Sequence, residues 1–191
     1  MNHPLTPETS DTPRAPGQRL PLSGRTRLSP EAVAEIRAVA AKYPEKLAGT
    51  LPALYIAQRE FGFLSLAAMK EVAAALEVPE GHVFGVATFY TMFKKEPTGR
   101  YHLQVCTNLC CALNGANELL RKVAARTGAE PGQGPSPDGM WSIEEVECLA
   151  SCGSAPCLQV NESVFDEFVD EAKLETILDA CRRGDYSPWG E

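Results

Sequence analysis

The sequence predicts an α+β (α/β) protein in which an N-terminal helical arm precedes a mixed α/β domain, and three observations carry that expectation. Apolar residues recur at helical spacing in four successive segments between Ser29 and Phe93. After KEPTG, residues 95–99, the period drops to two: Tyr101, Leu103 and Val105 alternate with His102 and Gln104, as in a strand. The remaining pattern reads helix, strand, strand, strand, helix and ends near residue 183.

Residues 1–27 hold five prolines, four arginines and two acidic residues without apolar periodicity, and are expected to form a disordered tail. Its spread of prolines would interrupt the amphipathic helix that a transit peptide requires. Residues 28–98 are the arm. Ser29 is placed to cap its first helix, Pro30 suits the first helical position, and Val33, Ile36, Val39 and Ala40 form the stripe. The second helix, about Leu51 to Phe61, should bury Leu51, Leu54, Tyr55 and Phe61 and stop at Gly62. Ser65 opens a third, with Leu66, Met69, Val72, Ala73 and Leu76 facing inward until Pro79. The fourth segment, HVFGVATFYTMF, carries Phe84, Phe89, Tyr90 and Phe93, expected mainly as core, with His82 on the helix surface.

Residues 99–183 form the second unit. Its first strand runs directly into Cys106. Residues 113–126 should be a helix with Leu113, Ala116, Leu120, Val123 and Ala124 on one face and Gly128 as terminator. A loop ending in the Asp138-Gly139 turn signal leads to a second strand, Trp141 to Cys148, whose alternation slips at Glu144-Glu145 as a bulge would make it. CLQV, a turn at Asn161-Glu162 and SVF suggest a hairpin, and EAKLETILDACRRG a closing helix with Leu174, Ile177, Leu178 and Cys181 inward. Residues 184–191 are a short C-terminal tail. The order β-α-β-β-β-α is that of a thioredoxin-like domain.

Composition narrows the function classes. A net charge of −7 argues against a nucleic-acid backbone as partner. No run approaches the roughly 20 apolar residues that span a bilayer. An odd number of cysteines, seven, and no secretory leader pattern predict reduced thiols in a cytosol-like compartment. No GxGxxG after a strand, P-loop lysine or GxSxG occurs, so a nucleotide or flavin site is not expected in this chain.

Four cysteines group as Cys106-x4-Cys111 and Cys148-x3-Cys152, with 36 residues between the pairs. Each pair starts where a strand gives way to a loop, and two loops leaving one sheet edge could gather four thiolates round a metal or iron-sulfur centre. Zinc and a [2Fe-2S] cluster both remain open on spacing; zinc knuckles are commonly Cys-x2-Cys, and these wider loops suit a larger object. A Rieske centre is excluded, because His3, His82 and His102 are scattered with no Cys-x-His pair. Thiol-disulfide exchange wants Cys-x2-Cys at a helix start, which neither pair supplies. The amides at the start of the 113–126 helix and around Gly153 are expected to face the sulfurs. From Trp141 to Ala180 ten acidic residues face one basic residue, which would lower a reduction potential.

The stretches LPALYIAQREFGFLS, VATFYTMF, VCTNLCC and ECLASCGSAPCLQVN resemble the thioredoxin-like [2Fe-2S] ferredoxin family, the small E-type component of NADH-quinone oxidoreductase (respiratory complex I), from about Ser29 to Arg182. The resemblance implies a [2Fe-2S] cluster held by Cys106, Cys111, Cys148 and Cys152, and selects Cys111 over Cys110. Cys157 stands where the family often has methionine, so it and Cys181 are expected to pack as apolar residues. Pro156 stands where thioredoxin-like folds commonly keep a cis proline. The implied role is electron transfer within an NADH dehydrogenase, exchanging single electrons with the FMN of an NADH-binding flavoprotein partner, peripheral on the cytoplasmic side of the inner membrane. No complete active site is expected in this chain alone. The alternatives are the equivalent subunit of an NAD-dependent formate dehydrogenase or hydrogenase, and a zinc-stabilised interaction module.

Overall fold

The fold was obtained as a computed structural model, which describes residues 27–162 and 165–186. The tail expected over residues 1–27, apart from residue 27, lies outside the described residues, as do Ser163 and Val164 of the expected hairpin and residues 187–191.

Helix α1 spans Pro30–Ala40, and the Ser29 hydroxyl accepts a hydrogen bond from the Ala32 amide at 3.1 Å, the expected cap. A 3-10 turn at Lys46–Gly49 leads into α2, Thr50–Phe61, closed by Gly62 at φ 83°. Helix α3, Leu66–Leu76, is capped by Ser65, and α4 spans Glu80–Phe89. Ile36, Leu54, Leu64, Val72, Val83 and Phe93 are fully buried at the centre of this arm. The predicted stripes are wrong at their margins. Tyr55 and Leu66 are exposed, and the aromatic run divides: Phe93 is core and Tyr90 half-buried, but Phe84 is 48% and Phe89 76% exposed. Helix α4 turns Val83 and Ala87 fully inward, so Phe84, one position beyond Val83, and Phe89, two beyond Ala87, are rotated by about 100° and 200° away from the core. His82 is half-buried, and its Nε2 is closed off from solvent without a hydrogen-bond partner among the described residues.

The second unit has its own core on a four-stranded sheet in the order β2-β1-β3-β4. Strand β1, Tyr101–Cys106, pairs in parallel with β2, Trp141–Val146, in unbroken register from Tyr101↔Trp141 to Cys106↔Val146. Strand β3, Leu158–Val160, runs antiparallel to β1, and β4, Phe165–Asp166, antiparallel to β3. The bulge expected at Glu144-Glu145 is absent, and β2 stops at Val146, before Cys148. Glu144 keeps the alternation on the polar side of the sheet with Ser142, and the pattern changes at Glu145, an exposed residue near the strand end, without a slip in register.

Helix α5 is Leu109–Leu113, α6 is Ala116–Thr127 and α7 is Glu171–Arg183. The single helix expected over residues 113–126 is thus two, broken at Gly115, whose φ of 91° is the left-handed region that favours glycine. Leu113 is exposed, and Ala116, Leu119 and Val123 make the buried face of α6. Helix α7 buries Leu174, Ile177, Leu178 and Cys181 as predicted. The apolar residues of α6 and α7 cover one sheet face, that of Leu103, Ile143 and Leu158, while His102, Gln104, Ser142 and Glu144 occupy the other.

The arm meets that polar face. The Gly99 amide donates to Ser142 Oγ at 3.0 Å, and Ser142 Oγ lies 2.8 Å from His102 Nδ1. With the Ser142 hydroxyl donating to Nδ1, His102 Nε2–H donates to Glu144 at 2.8 Å, and Lys94 pairs with the same carboxylate. Burial works to raise the Glu144 carboxyl, but the hydrogen bonds from His102 and Lys94 and the Lys94 charge outweigh it and hold the group at about 2. The side-chain amide of Gln58 adds bonds to the Met92 carbonyl and to Glu162.

Candidate metal centre

Parallel pairing of β1 and β2 makes the two cysteine loops leave the same sheet edge, the geometry that four converging thiols need. Cys106 ends β1 itself. Asn108 caps α5, its side chain accepting from the Leu109 amide at 2.6 Å, and α5 carries Cys110 and Cys111. The second loop holds Cys148 and the 3-10 turn Cys152–Ser154, which is tied down where the Ser151 and Ser154 hydroxyls both donate to Glu167 at 2.6 Å.

The cysteines divide into an inner and an outer set. Cys106, Cys111 and Cys157 are buried, with their sulfurs within 4.8 Å of one another and Cys111 Sγ 3.8 Å from Cys157 Sγ. Val146, Leu149, Ala155 and Ala116 wall this set. Cys148 and Cys152 are exposed, and Cys152 interacts with Cys148 and with exposed Cys110. The structure therefore brings Cys106 and Cys111 together but leaves Cys148 and Cys152 outside that group, on the facing loop. Contact between the sets runs through the backbone, with the Cys106 thiol 3.7 Å from the Glu147 carbonyl.

Backbone amides converge on the sulfurs. The Ala150 amide donates to Cys148 Sγ at 3.2 Å. For Cys106, burial pushes the thiol up, but the amides of Asn108 and Leu149 with the Cys111 and Cys157 thiols outweigh it, and the net shift is downward. Cys111 moves the other way: burial and the neighbouring Cys106 raise it against the amide and thiol of Cys157. Burial, then Cys111 and Cys106, push Cys157 up to about 12. These amides replace the expected contribution from the start of a 113–126 helix. A Cβ at Gly153 would meet no protein atom within 4 Å. Two thiols beside a solvent-facing pair, with amides aimed at sulfur, fit an anionic iron-sulfur group.

Sequence reasoning set Cys157 aside as packing. It is fully buried, as a packing residue should be, yet it touches an expected ligand, a proximity visible only once β3 lies against β1. The Ala155-Pro156 bond is cis. Cys181 is on the buried face of α7, in the main core of the sheet rather than in the cluster of the inner set.

A family profile described as thioredoxin-like [2Fe-2S] ferredoxin matches residues 36–182. The second E-type component of the NADH-quinone oxidoreductase of Rhizobium meliloti is 41% identical over 148 residues, covering 78% of this chain and 87% of that protein. NADH-quinone oxidoreductase subunit 2 of Thermus thermophilus is 41% identical over 146 residues, covering 75% and 80%. In the crystal structure of an NAD+-reducing [NiFe]-hydrogenase in the H2-reduced state, one chain superposes with a TM-score of 0.59 at 23% identity. That match spans 71% of this chain but 22% of the hydrogenase chain, a likeness of fold.

Proposed function

The chain belongs to the thioredoxin-like [2Fe-2S] ferredoxin family, and from that premise we propose that it is the electron-transfer subunit of an NADH-quinone oxidoreductase, holding its cluster through Cys106, Cys111, Cys148 and Cys152. The observation that carries this is the pair of cysteine loops leaving one sheet edge, with the family's spacing and amides directed at sulfur. Bound there, the cluster supplies one-electron storage and transfer. The protein's own residues do the rest. The apolar wall of Val146, Leu149 and Ala155 keeps water from the inner thiols, and the amides of Asn108, Leu149 and Ala150 stabilise negative charge on sulfur.

The partner in this reading is a flavoprotein that binds NADH and FMN and splits hydride into single electrons. Exposed Leu109 and Leu113 of α5, and Phe168 behind the Cys152–Ser154 turn, put apolar surface around the outer cysteines, as a protein partner needs. Phe84 and Phe89 supply a second apolar patch on the arm. No helix among the described residues is long and apolar enough to cross a membrane, and peripheral attachment on the cytoplasmic side of the inner membrane, through other subunits, is part of the proposal. The likeness to the hydrogenase keeps its equivalent subunit as the alternative host. Co-purification decides: the tagged chain should bring down an FMN-containing NADH dehydrogenase that reduces quinone. Recovery with a hydrogenase instead assigns the alternative.

A further inference from the structure

We propose that Cys157 is a positioning residue whose thiol hydrogen is donated to Cys111 Sγ and raises the reduction potential of the cluster. The inference rests on the reading above, in which Cys106 and Cys111 are cluster ligands. Cys157 is fully buried, and its sulfur lies 3.8 Å from that of Cys111, within reach of an S–H···S bond. Its backbone is fixed on both sides. The Cys106 amide donates to the Cys157 carbonyl at 3.3 Å, and Leu158 begins β3 against Val105. The Val169 amide, donating to the Pro156 carbonyl at 2.9 Å, holds the preceding residue.

Direction follows from chemistry. A ligating Cys111 is a thiolate and has no hydrogen to give, so any hydrogen bond between the pair is donated by Cys157. The surrounding side chains of Ala116, Val146, Leu149 and Ala155 offer no acceptor; the other sulfur nearby, Cys106, is also a ligand in this reading, so a thiol hydrogen shared with it would act on the same cluster. A hydrogen bond to a ligand sulfur counts for more when the centre carries an extra electron, so it favours the reduced state. The donated bond opposes the acidic surroundings between Trp141 and Ala180, which disfavour that electron.

The test is a redox titration followed by EPR on the full chain, comparing wild type with Cys157→Ala, Cys157→Val and Cys157→Ser. Removing the donor should leave the cluster spectrum in place and shift its reduction equilibrium toward the oxidised form several-fold, at most about tenfold, or ~59 mV for one electron. Cys157→Val gives the same shift while filling more of the space than alanine. Serine, which keeps a donor, should restore much of the wild-type potential. An unchanged potential in the alanine and valine variants overturns the proposal, because packing alone then explains Cys157. Folded alanine and valine variants without cluster overturn it as well, making Cys157 a ligand. A wild-type protein without any [2Fe-2S] signal overturns the underlying reading instead, and is thereby distinguished.

Discussion

The ammonium of Lys94, at the end of the helical arm, is paired with the carboxylate of Glu144 on β2, and its side chain is only 10% exposed. This ion pair joins the arm to the sheet that carries the cysteine loops, and His102 binds the same carboxylate at 2.8 Å. A carboxyl held at about 2 rather than its ordinary 4.5 corresponds to about 3 kcal/mol of linkage. The Glu144 side chain is 34% exposed, so screening reduces the usable part to about 1–2 kcal/mol. Because the folded value is depressed, this stability is fully present above pH ~4.5 and is lost as the pH falls towards 2. Glu144→Gln should therefore lower Tm at pH 7, and the gap from wild type should narrow below pH ~4.5. A gap that does not change with pH would mean that shape, not charge, is what Glu144 contributes.

Gly99 packs against β2 at the same junction and tolerates no side chain. A Cβ there would lie 2.3 Å from the Trp141 carbonyl carbon and 2.6 Å from its oxygen, backbone atoms that cannot swing aside. Gly99→Ala should cost about 2 kcal/mol or more, read as a Tm drop of several degrees. Gly153→Ala, which meets nothing within 4 Å, is the control and should leave Tm nearly unchanged in cluster-free protein.

Cysteine substitution separates ligands from bystanders. Cys106→Ser, Cys111→Ser, Cys148→Ser and Cys152→Ser should each abolish or shift the visible absorption, while Cys110→Ala and Cys181→Ala should retain it. Loss of the cluster in Cys110→Ala with retention in Cys111→Ser would move the assignment to the neighbouring thiol.

Much of this architecture was legible locally, and the failures share a cause. Ser29, Ser65, Gly62 and Gly128 mark helix ends because capping is written in one or two residues. The role of Glu144 was not legible, because its partners Lys94 and His102 lie 50 and 42 residues away. Leu113 was assigned to the wrong helix although Asn114-Gly115 is a turn signal; helical spacing of apolar residues carries on across a break and hides it. Tyr55, Leu66, Phe84 and Phe89 show the limit of apolar pattern as a guide to burial, since a small helix bundle leaves large side chains at its edges. At the site, two groups of cysteines at the ends of two strands could be read from the sequence, while the choice of Cys111 over Cys110 rested on the resemblance. The nearness of Cys157 to Cys111 depends on β3 pairing with β1 and could not be read from the sequence.

The exposed aromatics make a separate prediction. Phe84→Ser with Phe89→Ser should leave the absorption spectrum and Tm close to wild type while weakening co-purification with the flavoprotein at least several-fold. Undiminished co-purification would show that the arm's apolar patch is not the docking surface and leave the rim of Leu109, Leu113 and Phe168 as its site.

The central claim, that the two cysteine pairs hold a [2Fe-2S] cluster, is tested most directly by EPR and absorption spectroscopy of anaerobically purified protein. The account predicts brown protein with two irons per chain and a rhombic signal that appears on reduction with dithionite. A colourless protein that carries one zinc per chain, or no metal, would contradict it.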